Sequence, residues 1–308
     1  MHPVRDIEVG ETQTADRLVR QMYEAGGFTA KKVAEGVDLL ESMVREDYTV
    51  ALSFPACITA TGTRGVIREM VKRNLVDCII TTCGTLDHDL ARVWRDYHHG
   101  SFEMDDVELH RRGVNRLGNV LVPTDSYGTI IEEKMQDWLA DMGAERDTWS
   151  SRQLCAQLGR RLDESSILYW AWKNQVPVFI PGITDGAVGS QIWLYAQSHP
   201  FHLDVLQDEQ DLADLFFREE GKMGALIVGG GIAKHHLIWW SQFRGGLDSA
   251  VYVTSAPEWD GSLSGARLRE GISWGKLRET ARQVTIEGDA TVLLPLMAAA
   301  LLERLSVR

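Results

Sequence analysis

Six times along the chain a short apolar run is followed by small or polar residues and then by an amphipathic stretch. The first run, Thr49–Leu52, leads through residues 53–63 to a helix over Val66–Lys72. The second, Asp77–Thr81, leads through Thr82-Cys83-Gly84-Thr85 to a helix opening near Asp87. Val176–Ile180 precedes Pro181–Gly186 and a helix through Trp193, and Ala225–Val228 precedes Gly229-Gly230-Gly231 and a helix from about Ala233. Ala250–Thr254 opens a long loop over Ser255–Gly265, and Gln283–Ile286 leads through Glu287-Gly288-Asp289 to the last helix. Continuous apolar strands alternating with helices imply a largely parallel sheet covered on both faces. The pattern therefore predicts an α/β, Rossmann-like fold. Ahead of it, Thr29 is placed to cap a helix that carries Val33, Val37, Leu40 and Val44 on one face. The expected division is a helical N-terminal extension over residues 1–28 and a single α/β domain over residues 29–308.

In such sheets ligands gather beyond the carboxyl ends of the strands. Gly229-Gly230-Gly231 would let backbone approach a pyrophosphate, with the next helix N-terminus supplying amide donors. The spacing is not the GxGxxG fingerprint, and a tight turn at a packed strand end explains three glycines equally well. Two further permissive loops, Gly182–Gly189 and Thr82-Cys83-Gly84, shift the balance toward a dinucleotide. Asp185 and Asp289 sit just past strands, where each can accept from ribose hydroxyls or cap the next helix. His235 and His236 are adjacent on a helix start, face different ways and cannot chelate one metal well. One of them is able to orient or deprotonate an amine while the other packs.

The most specific chemistry lies in Gly265–Lys276. A lysine normally keeps its proton to a pKa of roughly 10.4 and is then no nucleophile. Lys276 follows Trp274 and Gly275, with Glu270 six positions upstream. Burial beside an indole disfavours the charged form and leaves an amine able to form an imine.

Bulk properties narrow the class. The net charge of -12 over 308 residues argues against a general nucleic-acid binder and suits a cationic small molecule or a basic protein partner. Cys57, Cys78, Cys83 and Cys155 show neither CxxC nor zinc spacing, so reduced, mostly buried thiols and no metal are expected. Met1–Asp6 lacks the apolar stretch of a secretory signal. The apolar run Ala290–Leu302 is interrupted by Pro295 and falls short of the ~20 residues that span a bilayer. A cytoplasmic protein is the expectation.

Ser273-Trp274-Gly275-Lys276, Gly229–His236, Val114–Pro123, Pro181–Gly186 and Ser264–Arg267 together resemble the deoxyhypusine synthase family, in order and with compatible spacing from about Thr29 to the C-terminus. The resemblance implies a transferase that borrows NAD. It removes a hydride from spermidine, holds the resulting butylamine unit as an imine on a lysine, and passes it to one lysine of translation initiation factor 5A. It also implies a homotetramer with active sites between subunits. Carried over position by position, Lys276 is the imine-forming lysine, His235 the histidine beside the reacting amine, Trp274 the wall against the polyamine and Glu270 a carboxylate on a polyamine nitrogen. Asp87, His88, Ser190 and Gly261 fall among substrate-binding positions. Ala56, Cys57, Thr82, Cys83, Gly84, Asp185, Gly230, Ser255, Ala256, Asp289 and Ala290 fall where the family touches NAD.

This chain departs from the eukaryotic pattern at several of these positions. Ser190 and Leu263 stand where aspartates bind spermidine amines, while Trp239 and Cys57 each replace an asparagine. Two missing carboxylates weaken a cation site by roughly 1.5–3 kcal/mol each. Trp239–Phe243 and Asp260–Gly265 look like the archaeal branch. A different donor such as agmatine, a polyamine synthase of the homospermidine type, and an NAD-binding regulator without turnover all stay open at this point.

Overall fold

The computed structural model describes residues 1–11, 13–217 and 221–306. The chain forms two compact units, one of Met1–Phe54, Leu75–Cys78 and Leu212–Arg308, the other of Pro55–Asn74 and Ile79–Asp211. The fold is α/β with parallel pairing throughout its main strands, as the alternation of apolar runs and helices implies.

In the first unit the strand Met223–Val228 lies between Thr49–Ser53 and Leu247–Thr254, and Leu277–Glu287 pairs with the far side of Leu247–Thr254. Every residue of Met223–Val228 is buried, which requires cover on both faces of this strand. The helix Phe28–Arg45, which buries Val33, Val37 and Leu40, supplies part of that cover through Met43, whose side chain lies against Gly224. It presses close because Gly36 carries no Cβ; one built there would stand 2.6 Å from Ile286 Cδ1 and 3.2 Å from Met297 Cε. Thr29 does not cap this helix: the N-cap is Gly27, and Thr29 lies inside the first turn. The helix Ala15–Glu24 is capped by Thr14 and is tied to the last helix by Arg304. That guanidinium, 2% exposed, pairs with Asp16, with Asp38 at 2.6 Å and with Glu41 at 3.2 Å.

In the second unit Ile79 and Ile80 pair in parallel with Val178 and Phe179. The helices Thr63–Lys72, Cys83–Trp94 and Ala187–Ala196 follow the strand ends, and Cys155 lies buried on Ser151–Gly159. The Val114–Pro123 stretch is an antiparallel hairpin in which Val114–Leu117 turns at Gly118, with φ 60°, into Val120–Pro123.

Three boundaries differ from the sequence expectation. The helix after the second strand opens at Cys83 rather than near Asp87, so Cys83 and Gly84 belong to its first turn. The last strand begins at Leu277, directly after Lys276, rather than at Gln283; Arg278, Glu279 and Thr280 are exposed, so its first half carries no apolar run. Pro295 lies inside the last helix, Ala290–Ser306, where its missing N–H costs the bond to the Thr291 carbonyl without ending the helix. Among the described residues no helix is long and apolar enough to cross a membrane.

Candidate active site

The Trp274–Lys276 stretch is a helix ending with a defined geometry. Glu270–Ser273 makes one turn of helix, and Gly275 then takes a left-handed φ of 68°. The Gly275 amide donates to the Ile272 carbonyl at 3.0 Å, and the Lys276 amide to the Gly271 carbonyl at 2.9 Å. These two bonds form a Schellman closure, which needs a residue that adopts positive φ without strain. The Lys276 carbonyl accepts from the Leu247 amide at 3.1 Å as the chain enters the sheet. Lys276 is thus pinned through both backbone polar groups. Its side chain is 8% exposed, with Nζ 5.4 Å from the centroid of the Trp274 ring. Trp274 itself is 65% exposed, so the indole is half wall, half surface.

The helix Gly231–Ser241 brings a histidine to this lysine. Burial, and after it the charge of Lys276, lower the pKa of His235, which favours a neutral imidazole able to take a proton. Its ring stacks on Trp239 with centroids 5.7 Å apart and planes 27° apart. His236 is half-buried where its neighbour is exposed, as adjacent helical positions demand. Glu270 is exposed on the short helix.

Lys234, which lies within Gly229–His236 and to which the sequence assigns no role, is a second buried lysine, carried by this helix. It is 2% exposed, with Nζ donating to the Leu263 carbonyl at 2.7 Å and the Ala266 carbonyl at 2.6 Å, and 3.8 Å from the Tyr252 ring centroid. Burial pushes it down to about 7; the Glu270 carboxylate opposes that, while Arg267 and Lys276 add to it. Lys234 therefore feels the charges of Glu270 and Lys276, and His235 that of Lys276.

Beside this group lie the carboxyl ends of three strands of the first unit. They present Gly229–Gly231, then Ser255 and Ala256, then Asp289 and Ala290. Gly230 is explained by packing: a Cβ there would stand 2.5 Å from Ser264 Cα. The Ser264 carbonyl accepts from the Tyr252 hydroxyl and from Thr254 Oγ1, the latter at 2.9 Å. Asp289 Oδ1 accepts the Thr291 amide at 2.8 Å, so this aspartate caps the last helix. Ser255 and Gly261 are exposed.

The remaining sequence-predicted positions fall in the second unit. Gly84 packs against Ala56 of the 3-10 helix Ala56–Ala60, where a Cβ would be 2.9 Å from that of Ala56. Thr82 is the N-cap of Cys83–Trp94 without using its side chain. The thiols are mostly buried, as expected: Cys57 is exposed, whereas burial raises the thiols of Cys83, Cys78 and Cys155. Asp87 is fully buried and accepts the Ala187 amide at 2.9 Å, the Val188 amide at 2.8 Å and the Tyr127 hydroxyl at 2.7 Å. Burial raises its pKa against those three donors. It thereby does for Ala187–Ala196 the capping that neighbouring Asp185, exposed, does not. His88 Nδ1 lies 2.9 Å from the Tyr97 hydroxyl, and burial pushes the ring down to about 4. Ser190 is exposed and its hydroxyl donates to the Gly186 carbonyl at 3.0 Å.

Comparison with known proteins bears on the family and the fold. The sequence model of deoxyhypusine synthase matches residues 17–301. A Picrophilus torridus protein described as a probable deoxyhypusine synthase is 54% identical over 303 residues, which is 98% of this chain and 97% of that one. A Thermoplasma acidophilum protein with the same description is 53% identical over 299 residues, 96% of each chain. Among solved structures, an Entamoeba histolytica protein provisionally described as a deoxyhypusine synthase superposes with a TM-score of 0.67 at 20% identity over 96% of each chain. The complex of AgrE with ornithine and NAD+ superposes with a TM-score of 0.55 at 14% identity, covering 99% of this chain and 35% of that one. At those identities the structural likeness speaks for the fold, and the sequence matches speak for the family: this chain belongs to the deoxyhypusine synthase family.

Proposed function

We propose that this protein is an NAD-dependent transferase that moves an aminobutyl group from spermidine, or a related amine, to a lysine of translation initiation factor 5A. The observation that carries the reading is Lys276 itself: buried, fixed through its backbone, and within electrostatic reach of His235.

The carboxyl edge of the first unit suits a dinucleotide. The helix Gly231–Ser241 begins there without a side-chain cap, its first amides able to meet a pyrophosphate, while Ser255 offers an exposed hydroxyl and Asp289 an exposed carboxylate. The fold likeness to AgrE, a protein solved with NAD+, points the same way. When bound, NAD supplies a hydride acceptor for the amine and returns the hydride at the end. The protein's own residues do the rest. His235, neutral, takes the proton that the secondary amine must shed. The Lys276 amine adds to the electrophilic carbon of the oxidised donor, a C–N bond forms, diaminopropane leaves, and the butylamine unit stays on Nζ as an imine. The acceptor lysine displaces Nζ by the same exchange. Glu270 holds a cationic nitrogen of the donor, and Trp274 lies along its methylenes.

The reading includes a cytoplasmic homotetramer. Its support is an exposed apolar patch of Ile232, Trp239, Phe243 and Phe217. The test of the activity is incubation with NAD, spermidine and the factor, followed by mass spectrometry of the factor. An aminobutyl gain that disappears in Lys276→Ala, with NAD binding retained, is expected. Transfer by that variant overturns the assignment, and mass gained by added putrescine instead of the factor would make the protein a polyamine synthase.

A further inference from the structure

We infer that Lys234 is a positioning residue, an internal clamp whose ammonium fastens the 263–266 loop to the face of Tyr252 and so sets where Glu270 and Lys276 stand. The inference deepens the proposed function, because it takes Lys276 to be the reacting amine.

Four contacts converge on this loop from the body of the first unit. Lys234 Nζ reaches the carbonyls of Leu263 and Ala266 at 2.7 and 2.6 Å. Tyr252, under the ammonium, donates its own hydroxyl to the Ser264 carbonyl, and Thr254 Oγ1 donates to the same oxygen at 2.9 Å. Gly230 leaves room for Ser264 to lie against backbone. A buried lysine is costly to keep, and two carbonyls with an aromatic face are what an ammonium needs to stay. The third contact, the ring face, accepts from a proton and repels a lone pair, so the geometry favours the charged form even though burial works against it.

From the clamp to Lys276 the chain has no slack. The amides of Gly265 and Ala266 both close on the Ser262 carbonyl, that of Glu270 on Arg267, of Gly271 on Leu268, and of Ile272 on Arg269. Leu268 is buried between them, and the Schellman closure follows. A segment wound in consecutive turns and bolted at residues 263–266 transmits that anchor to its other end, where Lys276 joins the sheet. Loop geometry alone would not require a lysine; the same two carbonyls could be turned to water. Placing a cation there also sets a charge within reach of Glu270 and Lys276.

The test uses the full chain and two variants, Lys234→Met, which keeps length and loses charge, and Lys234→Arg, which keeps charge and donors. The first readout is hydrogen exchange of the 263–276 amides without any substrate. A charge-assisted bond shifts a local opening equilibrium by roughly tenfold to a hundredfold, so the Met variant should exchange there at least about tenfold faster, with the helix Ala187–Ala196 unchanged and the Arg variant near wild type. The second readout is reductive alkylation of Lys276 by butanal and borohydride, located by peptide mass spectrometry, which needs neither NAD nor a polyamine. It should fall severalfold in the Met variant. Unchanged exchange overturns the clamp, and faster exchange with unchanged alkylation overturns positioning. If the Met variant does not fold, the Arg variant's exchange decides alone: wild-type protection supports the clamp, and protection lost as widely as in the denatured chain overturns it. Failure of the proposed transfer would leave both readouts intact and so would be seen separately.

Discussion

The carboxylate of Asp87 caps a helix that begins a hundred residues later in the chain, accepting the amides of Ala187 and Val188 at 2.9 and 2.8 Å. The nearer candidate, Asp185, stands exposed two residues before that helix and does not cap it. The relationship separates what a carboxylate does for the fold from what it does for a ligand. Asp87 satisfies two helix-end donors and the Tyr127 hydroxyl. Asp185 keeps its oxygens for solvent or for a bound hydroxyl.

Asp87→Ala should destabilise the protein by about 2–3 kcal/mol, since it leaves two buried amides and a hydroxyl without their acceptor. Asp87→Asn keeps one acceptor oxygen and should lose roughly half as much. Urea unfolding of both variants checks this. A loss of spermidine binding in Asp87→Asn with stability untouched would show that the carboxylate serves the substrate instead.

The glycine triplet should respond unevenly to alanine. At Gly230 the added carbon meets Ser264 backbone at 2.5 Å, whereas at Gly231 nothing lies within 4 Å and only a φ of 68° opposes it. Gly230→Ala should therefore cost about 3 kcal/mol or more through overpacking, and Gly231→Ala about 1 kcal/mol through backbone strain. Thermal melts of the two variants give the comparison. Equal shifts would show that the 262–266 loop yields more easily than its hydrogen bonds suggest.

His88 should make the protein acid-sensitive. Its pKa of about 4 in the native chain lies below the ~6.5 of an unfolded histidine, so on acidification the unfolded chain takes the proton first. The contribution is fully present above about pH 6.5 and drains away toward pH 4, by roughly 2 kcal/mol at pH 5. The quantity to measure is the stability difference between pH 7 and pH 5 in wild type and in His88→Asn. The variant should lose less; an identical loss would place the acid sensitivity elsewhere.

The cysteines should divide one against three. Cys57 is exposed while Cys78, Cys83 and Cys155 are buried with raised pKa values. A thiol-reactive chromophore should titrate one thiol per native chain within minutes and four after denaturation. Fast reaction of two or more in the native protein would contradict this packing.

Much of the architecture is legible in the sequence, because strands buried on both faces must be written as unbroken apolar runs. Ala225–Val228 and Ala250–Thr254 announce themselves for that reason, and the turn glycines between them and their helices mark the loops that hold ligands. The Trp274–Lys276 motif was legible too, since a lysine beside an indole and a glycine is a chemical statement in itself. Boundaries hid where polarity alternates or where a cap comes from far away. Leu277–Glu287 looks half polar because Arg278, Glu279 and Thr280 all lie open to solvent, and the helix at Cys83 starts at Thr82 without a side-chain capping bond.

Tertiary structure alone settled the partners of the polar groups. Local sequence places Lys234 on a helix near three glycines, but its two carbonyl acceptors lie 29 and 32 residues further on, and nothing local names them. The same holds for Asp87 and its helix, and for Arg304 and its three carboxylates. A side chain's period along the chain reports which face is buried, because burial is a property of every residue on that face. A hydrogen bond is made between two particular atoms, so only the packed chain determines which aspartate caps, which glycine makes room and which carbonyls hold a buried lysine.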